Sequence, residues 1–269
     1  MLPQDNKSLR LLRVWWSLAK ISIMREMEFR SNFVLGIIRQ FLWLFTFLFS
    51  ISVIFQNTDA IYGWTKEEVI LILALSRIFE GILDITISRN IAEFPGFIQK
   101  GTFDYILTKP LPSQLYMAFR TVNIYIIGNV IAGLLLFGTL IASGSISITA
   151  SNGPLFLWVS LMGLITFYSI LITTASAAFF FERLEALWGL MNLYTEPLTV
   201  PMNIFPRIPR LILTYIIPVA FVVFVPAQIL TNKAHLPMGI IATCIAAVFL
   251  FIANIAWRAG LSRYTSASS

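Results

Sequence analysis

The stretch LFLWVSLMGLITFYSILITTASAAFFF (Leu155–Phe181) carries no charged side chain along its whole length. A helix needs about 20 predominantly apolar residues to cross the hydrocarbon core of a bilayer, so this stretch predicts a transmembrane helix. A second charge-free stretch, Val122–Ala142, predicts another. Such runs are too long and too apolar to be elements of an ordinary water-soluble domain. The sequence is therefore that of a membrane protein.

The composition of the whole chain agrees with this interpretation. Hydrophobic residues make up 58% of the 269 residues and charged residues only 12%, whereas soluble domains have about 25% charged residues. One histidine and one cysteine leave no zinc site of the usual kind and no internal disulfide framework. The net charge of +6 does not follow the pattern of any nucleic-acid-binding module, and no nucleic-acid partner is expected.

Four further apolar stretches extend the prediction to an all-α transmembrane bundle of about six spans, forming a single transmembrane domain over residues 1–269. They are Phe33–Phe55, Val69–Ser88, Ala186–Phe205 and Met238–Trp257. The stretch Ile208–Leu230 is also long enough to cross a bilayer, but it contains Pro218 and Pro226. Because proline breaks or kinks a helix, a re-entrant segment is the favoured interpretation, and a seventh span is the alternative.

The distribution of basic residues predicts the orientation of the chain. Six of the 19 lysines and arginines precede the first apolar run, which is typical of a cytoplasmic flank. With six spans, 13 basic residues are cytoplasmic and four are external, against 12 and five with seven spans. Both termini are then cytoplasmic. Residues 7–30 place lysine and arginine on one side of a helix and leucine and tryptophan on the other, which predicts an amphipathic interfacial helix; a solvated basic tail is the alternative.

The second predicted span carries charges inside an apolar segment. Arg77, Glu80 and Asp84 fall on one face of a helix, and the spacing allows Arg77 to pair with Glu80. Charges at this depth normally face protein or water. They form either a polar translocation surface or an ion pair that holds helices or subunits together. Glu196, followed by Pro197 in the fifth span, allows the same two interpretations.

The connection Arg89–Met117 is the longest on the predicted cytoplasmic side. Within it, Phe94–Leu107 mixes large apolar residues with Lys100 and Asp104 and is followed by Pro110. This pattern predicts a short amphipathic helix at the membrane face that ends at the proline. On these residues alone, the helix either contacts a partner or lies at the interface without one.

Motifs of the common enzyme classes are absent from the sequence. It has no Gly-Lys dipeptide and therefore no nucleotide-binding P-loop, no H-E-x-x-H motif and no G-x-S-x-G motif. We therefore expect no catalytic residues, no metal and no cofactor in this chain. A membrane-embedded enzyme would have to rely on carboxylates alone.

Two segments resemble those of a known family. The spacing of Gly101, Asp104, Leu107 and Lys109-Pro110-Leu111 is similar to the G-x-x-D-x-x-L-x-K-P-L segment of type-2 ABC-transporter permeases, especially the subfamily of proposed viologen and drug exporters. The stretch IPVAFVVFVPAQIL (Ile217–Leu230) resembles the proline-marked segment before that subfamily's last span. With the six spans and the basic N-terminus, the resemblance covers nearly the whole chain.

The resemblance implies a permease subunit of an ATP-driven exporter in a bacterial-type plasma membrane. Such a subunit pairs with a second permease and with two separate ATPase subunits, which bind ATP and magnesium. In the family, the loop between the second and third spans docks on the ATPase. The matching positions here are Phe94, Phe97, Lys100, Gly101, Phe103, Asp104, Leu107 and Pro110. The rival hypothesis is an ion-coupled transporter that uses Arg77, Glu80, Asp84 and Glu196 as a relay; such transporters often show internal repeats, and none is evident.

Overall fold

A computed structural model describes residues 15–17, 19–24, 30–109, 111–181 and 187–264. The predicted all-α fold is confirmed: the structure is 78% helical and its described residues contain no β-strand. The α-helices, numbered in chain order, are α1 Arg30–Ile54, α2 Lys66–Leu83, α3 Arg89–Ala92, α4 Phe94–Gln99, α5 Asp104–Leu107, α6 Ser113–Phe119, α7 Ile127–Ala142, α8 Gly153–Ser176, α9 Leu187–Thr195, α10 Arg207–Leu211, α11 Phe224–Leu230 and α12 Pro237–Arg263.

Four helical segments of the described residues are long and apolar enough to cross a membrane. They are Val34–Ile54, Ile124–Ala142, Gly153–Phe179 and Pro237–Arg263, and they coincide with the predicted first, third, fourth and last spans. The predicted second span is helix α2, which begins at the capping residue Thr65 and continues through a π-helical turn at Asp84–Ser88 into α3. Because α2 contains several charged residues, it is not among the four apolar segments.

The predicted fifth span, Ala186–Phe205, is not one continuous helix. Helix α9 ends at Thr195, and two short 3₁₀ segments follow, Glu196–Thr199 and Met202–Ile204. Prolines at positions 197, 201 and 206 explain the interruption, because each removes a backbone donor and clashes with the preceding helical turn. Residue 186 lies outside the described residues.

Most residues of the predicted N-terminal amphipathic helix also lie outside the described residues. Of the predicted range 7–30, residues 15–17 and 19–24 are helical.

The segment predicted to be re-entrant is two helical pieces. Arg207–Ile216 and Val219–Leu230 are bent by 72° relative to one another, and Pro218 lies at the break. The second piece is buried, whereas Ile208 and Tyr215 of the first are largely exposed. The bend is compatible with a re-entrant loop and with a broken span. If the pair is counted as one span, the number of described segments long and apolar enough to cross a membrane rises from four to five.

Glycines allow the long helices to approach one another closely. A Cβ added to Gly133 of α7 would lie 2.7 Å from the carbonyl oxygen of Ala74 in α2. A Cβ added to Gly163 of α8 would collide with the backbone carbonyl of Phe221. The piece Val219–Leu230 is thus packed directly on the backbone of α8.

Two sets of contacts define the ends of the bundle. At one, which we call the far end, Lys233 Nζ donates to the carbonyl oxygen of Gly63 at 2.7 Å and to Glu68 Oε2 at 2.5 Å. At the other, the near end, Trp257 Nε1 donates to Ser113 Oγ at 3.2 Å. Helix α12 begins just after Lys233 and contains Trp257; its 27 residues span about 40 Å. The connection predicted to be cytoplasmic therefore lies at the near end.

A polar cavity and a loop surface at the near end

A cavity of about 480 Å³ opens among helices α1, α2 and α9 and the segments that follow α2. Polar and charged side chains dominate its lining, which consists of Arg39, Glu80, Asp84, Ser88, Arg89, Glu93, Asn123, Ile126, Met191, Asn192 and Thr195. A hydrocarbon environment does not tolerate such a lining. The cavity is thus built to hold water, a polar solute or another protein surface.

Arg77 and Glu80 form the ion pair that their spacing predicts. Arg77 Nη2 contacts Glu80 Oε2, and both residues are less than 9% exposed. The Arg77 guanidinium also lies 4.0 Å from the ring centroid of Trp43 in α1. Arg77 is therefore held behind the cavity, between α1 and α2, while Glu80 reaches its wall. This geometry fits a helix-joining role better than exchange of the guanidinium with a solute.

The π-helical turn brings Asp84 and Ser88 to the cavity wall. The Ser88 hydroxyl donates a hydrogen bond to the Asp84 carboxylate. Further along the chain, Glu93 contacts two arginines: its Oε1 accepts from Arg89 Nε at 3.2 Å, and its Oε2 contacts Arg120. The cavity thus passes from the membrane-embedded pair to a charged network at the near end.

Glu196 does not join the other three charged residues. It is exposed at the start of a 3₁₀ segment and is not part of the cavity lining, although Asn192 and Thr195 are. No ion pair among the described residues includes it. The four-residue relay considered from the sequence is thus reduced to Glu80 and Asp84, with Arg77 behind them.

The segment Phe94–Leu107 is not the single helix that the sequence predicts. It forms two short helices, α4 and α5, separated by a turn in which Gly101 has φ +65°. Glycine adopts this left-handed conformation without steric cost, so it ends the first helix and redirects the chain. Pro110, predicted to end the helix, lies outside the described residues.

Phe94 and Phe103 are buried within this chain, which corrects their expected availability to a partner. Both are 0% exposed. Their rings lie 5.4 Å apart, and each also contacts Phe179 and Trp257. We call these four residues, with Tyr264, the aromatic cluster. It joins the connection Arg89–Met117, which we call the near-end loop or simply the loop, to the ends of α8 and α12, which lie more than 70 residues further along the chain.

The outer surface of the loop is formed by other residues. Tyr105 is 73% exposed, and Leu107 and Leu115 are also exposed, beside exposed Lys100 and Lys109. Phe97 is half-buried beneath the guanidinium of Arg120, 4.3 Å from its ring centroid. Asp104 approaches Tyr264, and partial burial together with this carboxylate raises the pKa of the Tyr264 phenol.

Asn90, which the sequence did not single out, joins α3 to the end of α6. Its side-chain NH2 group, which has two hydrogens to donate, lies within hydrogen-bond distance of the carbonyl oxygens of Thr86 at 2.7 Å, Ala118 at 3.0 Å and Thr121 at 2.9 Å. Asn90 is fully buried, so removing the amide would leave several buried acceptors unsatisfied. An uncharged amide at the end of an apolar helix is the only local signal of this role.

Comparison with known proteins adds one finding. Residues 41–268 match the model of a family described as ABC-2 family transporter protein. No curated protein and no solved structure matches the sequence.

Proposed function

This chain belongs to the ABC-2 transporter family, and from that premise we propose that it is the permease subunit of an ATP-driven exporter. The family is one of permeases and not of catalytic ATPase domains. We infer that two separate ATPase subunits supply ATP hydrolysis and hold the nucleotide and magnesium. A second permease, either a copy of this chain or a sister chain, completes the complex.

The observation that carries the proposal is the polar cavity beside the near-end loop. Glu80, Asp84 and Arg39 line it together. From the cavity, α2 continues through the π-helical turn into α3, at the start of the loop, where Asn90 is hydrogen-bonded to Ala118 and Thr121. Polar surface at membrane depth is stable only against protein or water. A second permease that covers the cavity would enclose a polar path, and movement of the loop would change its shape.

The loop is suited to receive force from an ATPase. Its outer face offers Tyr105, Leu107 and Leu115 to a partner, and aromatic and large apolar side chains are typical anchors of such interfaces. Its inner face is joined through Phe103 to Trp257 of α12. A push on the loop would therefore reach both α2 and the last helix.

The contacts at the two ends of the bundle support six crossings with cytoplasmic termini. Lys233 contacts Gly63 at the far end, and Trp257 contacts Ser113 at the near end. If residues 186–205 cross the membrane, a further crossing at residues 208–230 would place Lys233 on the same side of the membrane as Ser113. With the near end cytoplasmic, as the basic N-terminal flank indicates, the re-entrant segment returns to the outer side and lies at the exit of the path.

The ion-coupled alternative is less well supported. It needs a continuous relay of exchangeable groups, whereas Arg77 is buried in an ion pair and under Trp43. Glu196 lies outside the cavity lining.

Site-specific photo-crosslinking tests the proposal. A photoreactive phenylalanine in place of Tyr105 should crosslink to a co-expressed ABC ATPase subunit in membranes, and mass spectrometry should identify the joined peptides. Tyr62 is the matched control, because it is a tyrosine of similar exposure, 66% against 73%, in the loop that contains Gly63 at the far end. Crosslinking at Tyr105 alone supports the proposal. Crosslinking at both positions, or at Tyr62 alone, would contradict the assignment of the near end to the ATPase.

A further inference from the structure

A second cleft, of about 470 Å³, lies between α1 and the start of the third span. It is lined by Leu35, Gly36, Arg39, Arg89, Asn123, Tyr125 and Ile126. It shares Arg39, Arg89, Asn123 and Ile126 with the polar cavity, and none of the described residues that line it is acidic. Two arginines thus line the cleft together with the hydrogen-bonding side chains of Asn123 and Tyr125.

We propose that this cleft binds a phosphate group, that of an anionic lipid headgroup. Guanidinium groups bind phosphate oxygens through paired, charge-assisted hydrogen bonds. The Asn123 amide and the Tyr125 hydroxyl are further donors of the kind that phosphate oxygens accept. Basic clefts between membrane helices near the cytoplasmic side are suited to anionic headgroups.

Arg39 is the residue that most needs such a ligand. It is an exposed cation within a helix whose other exposed side chains include Leu35, Ile38 and Leu42. No hydrogen bond or ion pair of Arg39 occurs among the described residues. A charged group in this setting requires a counter-charge or water, and a lipid phosphate provides both a charge and hydrogen-bond acceptors.

The shape of the cleft favours a lipid over a free phosphate ion. Gly36 of α1 packs beside Tyr125, since an added Cβ would make ordinary van der Waals contact with Tyr125 Cβ at 3.6 Å. Leu35 is 62% exposed at the rim, where it would meet an acyl chain below the headgroup. The backbone N–H of Asn123 donates to the carbonyl oxygen of Ile85 at 2.8 Å, which fixes the donor side of the cleft to α2.

Arg89 closes the cleft from the near end. Its side chain is 45% exposed, and its Nε donates to Glu93 at 3.2 Å. This pair orients the guanidinium while much of its surface remains accessible. The two arginines come from elements 50 residues apart, so they meet only in the folded bundle.

Native mass spectrometry of the purified chain tests the proposal without any ATPase, so its outcome is independent of the proposed exporter function. Phosphatidylglycerol is titrated against phosphatidylcholine, which has a phosphate but no net charge. Arg39→Gln and Arg89→Gln should each weaken phosphatidylglycerol binding by about tenfold or more. Arg258→Gln removes the same charge from an exposed position in α12 and should leave binding unchanged.

Further arms separate lipid from soluble phosphate and binding from folding. An excess of inorganic phosphate should not displace phosphatidylglycerol; displacement would keep the phosphate site but overturn the lipid as its source. Arg39→Lys keeps the charge but not the paired hydrogen bonds, so it should bind phosphatidylglycerol less tightly than wild type and more tightly than Arg39→Gln, which guards against a folding defect in Arg39→Gln. Equal affinity for the two lipids, or equal affinity in wild type and both Gln variants, would overturn the proposal.

Discussion

Replacing Trp257 with alanine should release the near-end loop from the bundle. Trp257 is 3% exposed. Its ring lies 5.1 Å from that of Phe94 and 6.2 Å from that of Phe103, and its Nε1 donates to Ser113 at 3.2 Å. An aromatic pair contributes about 0.5–1.5 kcal/mol and a hydrogen bond about 0.5–1.5 kcal/mol. The three contacts with the loop therefore contribute about 1.5–4.5 kcal/mol, so the loop should open at least about tenfold more often.

Limited trypsin digestion of the purified protein measures this opening, because Lys100, which is followed by Gly101, lies in the loop. Cleavage requires local unfolding, and its rate follows the open population when reclosing is fast. Trp257→Phe, which keeps a ring but loses the hydrogen bond, should give a smaller increase. Trp158→Ala is the control. Trp158 in α8 is 48% exposed, and it donates a hydrogen bond to Thr243 of α12 rather than to the loop. Cleavage of Trp257→Ala at the wild-type rate, or at the rate of Trp158→Ala, would refute the reasoning.

Three other perturbations have defined outcomes. Arg77→Ala leaves buried Glu80 without its partner and should cost about 3–5 kcal/mol, seen as lost assembly or a lower melting temperature; a stable variant with altered substrate preference would contradict this. Gly163→Leu should destabilise the protein because its Cβ collides with a backbone carbonyl, whereas Gly138→Leu, with open space around it, should be tolerated in thermal unfolding. Single cysteines at positions 231 and 262, in a cysteine-free background, should label from the outer side at 231 and from the cytoplasmic side at 262; the reverse assignment would place a seventh crossing at residues 208–230 and exclude a re-entrant segment.

The long apolar helices were predictable from the sequence because their signal is local. Leu155–Phe181 and Val122–Ala142 need no tertiary information to be recognised as spans. The fifth span was placed at Ala186–Phe205 by its hydropathy, but where its helix stops was not predictable from hydropathy: α9 ends at Thr195, just before Pro197. The pairing of Arg77 with Glu80 was predictable for the same reason as the spans: residues three apart meet on any helix.

The loop was the least predictable part of the site. Its amphipathic pattern identified Phe103 as a large apolar side chain at a surface helix. Which surface it faces depends on Phe179, Trp257 and Tyr264, and no local spacing relates these positions. Nor did the sequence mark Tyr105 as the most exposed aromatic residue of the loop, because exposure depends on the direction that the chain takes after Gly101.

The π-helical turn at Asp84–Ser88 has a consequence for how the length of this helix can vary. A π-helical turn accommodates one more residue than an α-helical turn, and one residue corresponds to a rotation of about 100°. The half of the helix before the turn is oriented by Trp43 against Arg77, and the half after it by the contacts of Asn90. Deleting one residue within the turn would convert it to a regular α-helix without disturbing either anchor. Deleting one residue anywhere else between the anchors would rotate one of them away from its partners, so a single-residue deletion should be tolerated only at this turn.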